Sequence, residues 1–351
     1  MNIEAFKGYI LEDAISKLLS VNGYTLVKKN DSDTQEIHNG LNVIGRGAFH
    51  QADSLGQFQW TPPFLYPIRL FVEAKFRNKP AGIDLVREAV GIINDLNQNF
   101  STIRLDNQEV NLPRYDYRYV IFSTGGFTNP AITMALAHKI HMIDLSGYNY
   151  QSLLNTIHSF AEEVFRLYRN NIKDNSISTS TSRRIRLLFR ELIYLTPEQF
   201  NKHHLNEKNQ DLINLGNQVE KIISSIGGIY FATTNTPSIL ALVPDDNYNF
   251  KLSLRKNPTQ DVAITWTSQS QEWIIKGDNF NLRFTLPESI EKYIFEGDPL
   301  TAKINALNTK NIMLNKLNFL AVWDSDRPQL CTLKFNYKDT QREIARRNAS
   351  Q

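Results

Sequence analysis

From Ile3 to Tyr168 the hydrophobic period of this chain switches back and forth between helix and strand, and that alternation restricts the fold more than any other feature. Phe6, Ile10, Leu11, Ala14, Ile15, Leu18 and Leu19 recur at helical spacing over residues 3–22, and Gly23 follows as a stop. Strand-like segments are expected at 24–29, 41–47, 50–54, 68–75, 118–123 and 141–145, with helices at 83–96, about 130–139 and 150–168. Parallel neighbours need a crossover connection, so strands separated by helices at these intervals predict a mixed sheet flanked by helices on both faces. The first half is therefore read as α/β.

Residues 171–182 are polar and too poor in apolar side chains to pack, so they read as a linker between a domain at 1–170 and another at 183–351. Beyond it come a basic amphipathic helix at 183–194, a second opened by Thr196-Pro-Glu and a third from Asp211 to Ile226 ending at Gly227-Gly228. The period then becomes two, in Phe250, Leu252, Leu254; Val262, Ile264, Trp266; Phe280, Leu282, Phe284; and Cys331, Leu333, Phe335. With helices at 288–295 and 299–317 interrupting these runs, the second domain is expected to be α+β, with an antiparallel sheet wet on one face.

At 351 residues the chain is long enough for two domains with separate cores. Its first segment lacks signal-peptide architecture, no apolar run reaches membrane-spanning length, and the single Cys331 excludes an internal disulfide or a cysteine-rich zinc site. The expectation is a cytoplasmic protein with no membrane partner. A net charge of +3 permits nucleic-acid binding without requiring it.

The chemistry is concentrated in the apolar run Ile68-Arg-Leu-Phe-Val-Glu-Ala-Lys75. On a strand Glu73 and Lys75 project from one face, while Val72 and Ala74 project from the other. Upstream, Asp53 closes the string Gly45-Arg-Gly-Ala-Phe-His-Gln-Ala-Asp53. Two carboxylates and an amine on adjacent strands would make a divalent-metal site with its own cation, an arrangement suited to phosphodiester hydrolysis. The alternative is a surface ion-pair cluster on an edge strand. It is disfavoured because charges on so apolar a strand are costly unless paired or functional.

In order, a first helix carrying an acid, GRGAFHQADSLG, PIRLFVEAK, a helix, VIFSTGGFT, a helix and HMIDLSG resemble the catalytic domain of Mrr-type restriction endonucleases, within the PD-(D/E)XK nuclease superfamily. The resemblance covers roughly residues 3–150 and implies a restriction-endonuclease-like fold and a metal-dependent DNA endonuclease, acting in restriction or defence against foreign DNA. It implies that Asp53 and Glu73 ligate Mg²⁺, with Mn²⁺ as a substitute, helped by the main-chain carbonyl of Ala74. Lys75 would hold or help deprotonate the attacking water. Products would carry a 5′-phosphate and a 3′-hydroxyl. Two features depart from the family pattern: Ala52 stands where the superfamily has Pro, and an insertion at Gln57–Tyr66 lengthens the connection between the acidic strands and could reshape the DNA-facing edge.

Glu12 is the first-helix acid that often completes such a site as a further metal ligand, and its wheel position borders the apolar arc; a helix-surface acid is the competing reading. Gln51 shares a strand face with Asp53 and is assigned to the catalytic cleft as a polar support or DNA contact. Arg77 and Lys79, just past the catalytic strand, and Arg87 on the next helix are candidate DNA-backbone contacts. Arg183, Arg184 and Arg186 belong to the densest basic cluster, with Arg190, for which a phosphate-contacting face, a solvated helix edge and a domain interface all stay open. Thr124-Gly-Gly-Phe127 reads either as a phosphate cradle or, preferably, as a tight strand-to-helix turn. His138 and His141 lack a third zinc ligand, His50 reads as a packing or loop residue, and the aspartates of Trp323–Arg327 as solvated. DNA is the expected partner, a homodimer is suggested by analogy, and a protein partner or ligand is assigned to the C-terminal domain. Two other readings remain: a catalytically silent DNA-binding or interaction protein, and a nuclease active only once a partner engages the second domain.

Overall fold

Asn2 caps the first helix, α1 (Ile3–Val21), by accepting the Ala5 N–H at 2.8 Å, and the predicted apolar stripe from Phe6 to Leu19 is buried along it. Gly23, at φ 85°, turns the chain into β1 (Tyr24–Leu26), a conformation that favours glycine. The computed structural model describes residues 1–37, 40–169, 176–195, 199–200, 209–236, 238–267, 272–322 and 328–335. The helix expected to open at Thr196 and the Trp323–Arg327 segment lie outside the described residues.

The chain divides into two units, Met1–Ile226 and Gly227–Gln351. In the first, β5 (Ser54–Phe58) and β6 (Ile68–Lys75) form an antiparallel hairpin beside β1, and β6 runs parallel to β9 (Asp116–Ser123), which runs parallel to β10 (His141–Asp144). This five-stranded mixed sheet, in the order β1-β5-β6-β9-β10, is the predicted α/β core. One of its faces, carrying Phe71 and Tyr119, packs on α2 (Ile83–Asn97) and α3 (Asn129–His138). The other carries Ser54 and Gly56, which meet Ser16 and Leu19 of α1. Because Ser54 pairs with Val72 and Gly56 with Leu70, strand alternation puts Leu70, Val72 and Ala74 on the α1 face and Phe71, Glu73 and Lys75 on the α2 face.

Two small sheets escaped the sequence reading in part or entirely. The segments β2 (Thr34–Ile37), β3 (Gly40–Ile44) and β4 (Phe49–Gln51) form a separate three-stranded sheet, and β7 (Ser101–Leu105) and β8 (Gln108–Leu112) form a hairpin. The predicted insertion at Gln57–Tyr66 does not border the acidic end of the hairpin. The register Ser54 to Val72 and Gln57 to Arg69 sends that loop to the opposite end of β5 and β6.

The domain boundary also differs from expectation. Ile177 is buried and exchanges backbone hydrogen bonds with Met1, and Ser178 caps α5 (Thr179–Leu192), so 176–178 do not behave as linker. The Phe189 ring packs tilted against Phe160 of α4 (Gln151–Tyr168), their centroids 5.4 Å apart, and Phe189 is fully buried, as is Ile193. Burying one such side chain stabilises by about 1.5–3 kcal/mol. The basic helix is thus part of the first unit, and the division falls after Ile226.

In the second unit the sheet is not open with one wet face. It closes as β11 (Tyr230–Thr233), β12 (Ile239–Pro244), β15 (Asn281–Phe284), β14 (Glu272–Lys276), β13 (Thr259–Thr267), β17 (Pro328–Phe335) and β16 (Lys316–Val322), with β13 and β17 parallel and the other pairings antiparallel. Trp273, Ile275, Leu282, Phe284, Leu317 and Leu333 belong to its core. The run Phe250, Leu252, Leu254 is helical, in Asn247–Lys256, because Asp246 caps the Tyr248 and Asn249 N–H groups, and Phe250 and Leu254, one turn apart, bury the same face. The helix from Pro299 stops at Ile312, so Leu317 belongs to β16.

Candidate active site

Ala52 and Asp53 lie in the break where the chain leaves β4 for β5. There the Asp53 N–H donates to the Val72 carbonyl at 3.1 Å, and Asp53 Oδ2 accepts the Ala74 N–H at 2.8 Å. Since β5 begins only at Ser54, the Asp53 carboxylate takes the place that a next strand residue would have held against β6. The N–H and carbonyl of a strand residue point to one side, which directs the Ala74 carbonyl to the same edge. Asp53 Oδ1 has no protein donor among the described residues and is not fully buried.

Glu73 and Lys75 project from the α2 face and form an ion pair with each other. Glu73 Oε2 also accepts the Tyr119 hydroxyl at 3.4 Å. Burial, then the charges of Glu73 and Glu88, push the Tyr119 hydroxyl up, so Tyr119 remains a donor. Burial alone would pull the Lys75 ammonium down, but the Glu73 hydrogen bond and the Glu73, Asp53 and Glu88 charges push it above its usual value. A lysine held protonated in this way is a cation and a donor. Burial and the Glu73 charge push the Asp53 carboxyl up, against the Ala74 N–H, Lys75 and Arg186.

This donor set fits a hard divalent cation. The negative charge that Glu73 places beside Asp53 is relieved by a cation between them, and two carboxylates with one carbonyl leave room for the waters that Mg²⁺ retains. Among the described residues no group of three or more His, Cys, Asp or Glu side chains converges as an all-protein cage. That includes His138 and His141. The Asp53, Glu73, Ala74 and Lys75 cluster is the one the sequence foresaw.

Glu12 reaches the neighbourhood from α1, across the sheet from Glu73, and its Oε2 accepts from Arg186 Nη2 at 2.5 Å. Burial pushes its carboxyl up to about 7, opposed by Arg186 and reinforced by Asp53 and Asp13. It therefore leans inward, as one of the two readings held, but toward a guanidinium. Arg186 also binds Asp13 through Nε at 2.8 Å and Nη2 at 3.2 Å, and Arg190 Nε binds Asp13 Oδ1 at 2.7 Å. Arg186 is thus partly buried and tied to the acids of α1, whereas Arg183, Arg184 and Arg190 are exposed, Arg190 while still paired with Asp13. A cleft of about 800 Å³ runs between α1 and α5 and is lined by Glu12, Asp53, Gln51, Lys28, Arg183 and Arg186, among others. Gln51 lies over Gly40, where a Cβ would come within 2.7 Å of its Nε2, so it lines the cleft without contacting the acids.

Arg77 and Lys79 are exposed in the loop after β6, and Arg87 pairs on the surface with Asp84 at 2.8 Å. The Thr124–Phe127 segment holds that loop in place. Thr124 Oγ1 accepts the Arg77 N–H at 2.7 Å and donates to its carbonyl at 2.8 Å, and a Cβ on Gly125 would lie 2.5 Å from the Lys79 carbonyl oxygen. Close backbone approach accounts for these glycines without a phosphate. His50 binds Asp95 at 2.8 Å, and Asp95 also accepts the Gly47 and Ala48 N–H groups, which fixes the turn of the GRGAFH string.

Sequence reasoning missed Tyr119, Glu88 and Asp13. The alternation of β9 could have found Tyr119, since it pairs with Phe71 and shares the face of Glu73. No protein-family model matches the chain, and no curated protein matches it. A solved structure titled "Crystal Structure of Protein of Unknown Function AF1548" aligns over 51% of this chain and 95% of that one, at 14% identity and a TM-score of 0.28. That likeness carries no argument about either fold or activity.

Proposed function

We propose that this protein is a metal-dependent endonuclease of the PD-(D/E)XK type that hydrolyses DNA phosphodiesters, in the restriction or defence setting that its sequence resemblance implies. The observation that carries this reading is the seating of Asp53 on the Ala74 N–H, between the acid and the amine of Glu73-Ala-Lys75. A Mg²⁺ or Mn²⁺ held by Asp53, Glu73 and the Ala74 carbonyl would supply charge neutralisation at the scissile phosphate and lower the pKa of water there. Lys75, kept protonated, orients the attacking water and offsets charge on the phosphate oxygens. Tyr119 fixes the Glu73 carboxylate, and the Glu73 pairing in turn fixes Lys75. Arg77 and Lys79, exposed just beyond the strand, support contact with the DNA backbone.

The test is cleavage of plasmid and linear duplex DNA with Mg²⁺ or Mn²⁺. Nicking or cutting is expected, abolished by EDTA and lowered by at least ~10²-fold in Glu73→Ala and Lys75→Ala. Undiminished cleavage in both variants would contradict the assignment. DNA binding without cleavage under any metal or partner would favour a silent binding module.

A further inference from the structure

Arg186 is anchored far more completely than a surface arginine. Three hydrogen bonds to Glu12 and Asp13 use its Nε and Nη2, and the guanidinium lies 4.3 Å from the centroid of the Tyr9 ring. Its Nη1 makes no hydrogen bond among the described residues, and it is not among the unpartnered buried nitrogens. Arg186 lines the cleft that Asp53 and Ser54 also line, which places it on the Asp53 side of the proposed site.

The side from which it approaches is fixed by the sheet. Ser16 of α1 hydrogen-bonds Ser54 at 3.0 Å, next to Asp53, and Glu12 lies one turn earlier on the same helix. Arg186 therefore comes to Asp53 from the α1 face, whereas Glu73 and Lys75 come from the α2 face. In an in-line displacement the attacking and leaving oxygens lie on opposite sides of the phosphorus. Arg186 is the cation that reaches Asp53 from the face of the sheet opposite Lys75.

We propose that Arg186 is a catalytic residue of this site, its open Nη1 edge binding the scissile phosphate opposite Lys75 and stabilising the charge that develops on the leaving 3′-oxygen. This rests on the nuclease reading above. The water oxygen forms its bond to phosphorus as the P–O3′ bond breaks, the proton of that water passes to solvent, and the 3′-oxygen takes a proton from solvent. Arg186 stays protonated throughout, as a guanidinium does. Asp13 and Glu12 are then positioning residues for Arg186, which gives Glu12 a task other than metal ligation.

The experiment measures single-turnover cleavage of DNA and DNA affinity in Ca²⁺ for wild type, Arg186→Gln and Arg186→Lys, with melting curves for each. It is paired with hydrolysis of the p-nitrophenyl ester of thymidine 5′-phosphate, whose leaving group needs little stabilisation. Arg186→Gln is expected to lose ~10²–10³-fold in the DNA cleavage rate, as removal of one oxyanion donor does. Its DNA affinity should hold and its loss on the ester should be no more than about tenfold, with Arg186→Lys between it and wild type. If Arg186→Gln does not fold, Arg186→Lys carries the same comparison. A cleavage rate within about threefold of wild type, a loss seen in affinity alone, or equal losses on DNA and ester overturns the proposal. A wild type that hydrolyses neither substrate overturns the nuclease reading, and this proposal with it.

Discussion

The difference between what was and was not foreseen at single residues is one of chain distance. Glu73 and Lys75 were legible because both sit on one strand, whose alternation fixes their common face without any knowledge of the rest of the fold. Asp33 was not. It is a loop carboxylate with no periodic context, yet it is almost completely buried, accepting from Ser101 and, at 3.0 Å each, from Arg114 Nε and the Tyr117 hydroxyl. Its partners stand 68 to 84 positions away in the chain. Arg186 shows the same limit, since the basic cluster was visible and the acids that receive it were not. Breaking a buried pair strands the remaining charge, so Asp33→Asn, which leaves Arg114 without its counter-charge, should destabilise the first unit by about 3 kcal/mol. Urea unfolding should show a lower midpoint at an unchanged m value, and an unchanged midpoint would remove Asp33 from the account.

Elements were legible where their period was long and failed where a cap or a distant surface decided. The α1 stripe and the β6 run were read within a few residues. Phe250, Leu252 and Leu254 looked like a strand, but Asp246 makes a helix of them, and a cap is a weaker signal than alternation. The period of α5 announces a helix, but the helix belongs to the first unit and not, as its place after a polar stretch suggests, to the second. Its apolar residues announce a buried face without saying against what, and α4 supplies the answer through Phe160 and Phe189. Truncation distinguishes the two boundaries. A fragment of residues 1–226 should unfold cooperatively, whereas a fragment of 1–170 loses Phe189, Ile193 and both guanidinium partners of the buried Asp13 and should show no cooperative melt by circular dichroism. A well-folded 1–170 fragment would return α5 to the second unit.

At the scale of the whole molecule, the α/β character of the first unit was legible from its alternating periods, while barrel closure in the second was not. Alternation of inward and outward residues is the same in an open sheet and a closed one, and closure depends on β11 meeting β16 near Thr233 and Asn318. No described helix is long and apolar enough to cross a membrane. The proposed chemistry depends on one unit holding a divalent cation, with Asp53 and Glu73 as its carboxylate ligands. Electron paramagnetic resonance of free Mn²⁺, titrated with the full chain, measures this directly. The prediction is one Mn²⁺ per wild-type chain, lost in both Asp53→Asn and Glu73→Gln while their melting curves stay intact. Equal Mn²⁺ binding by the two variants, or none by the wild type at millimolar metal, would contradict it.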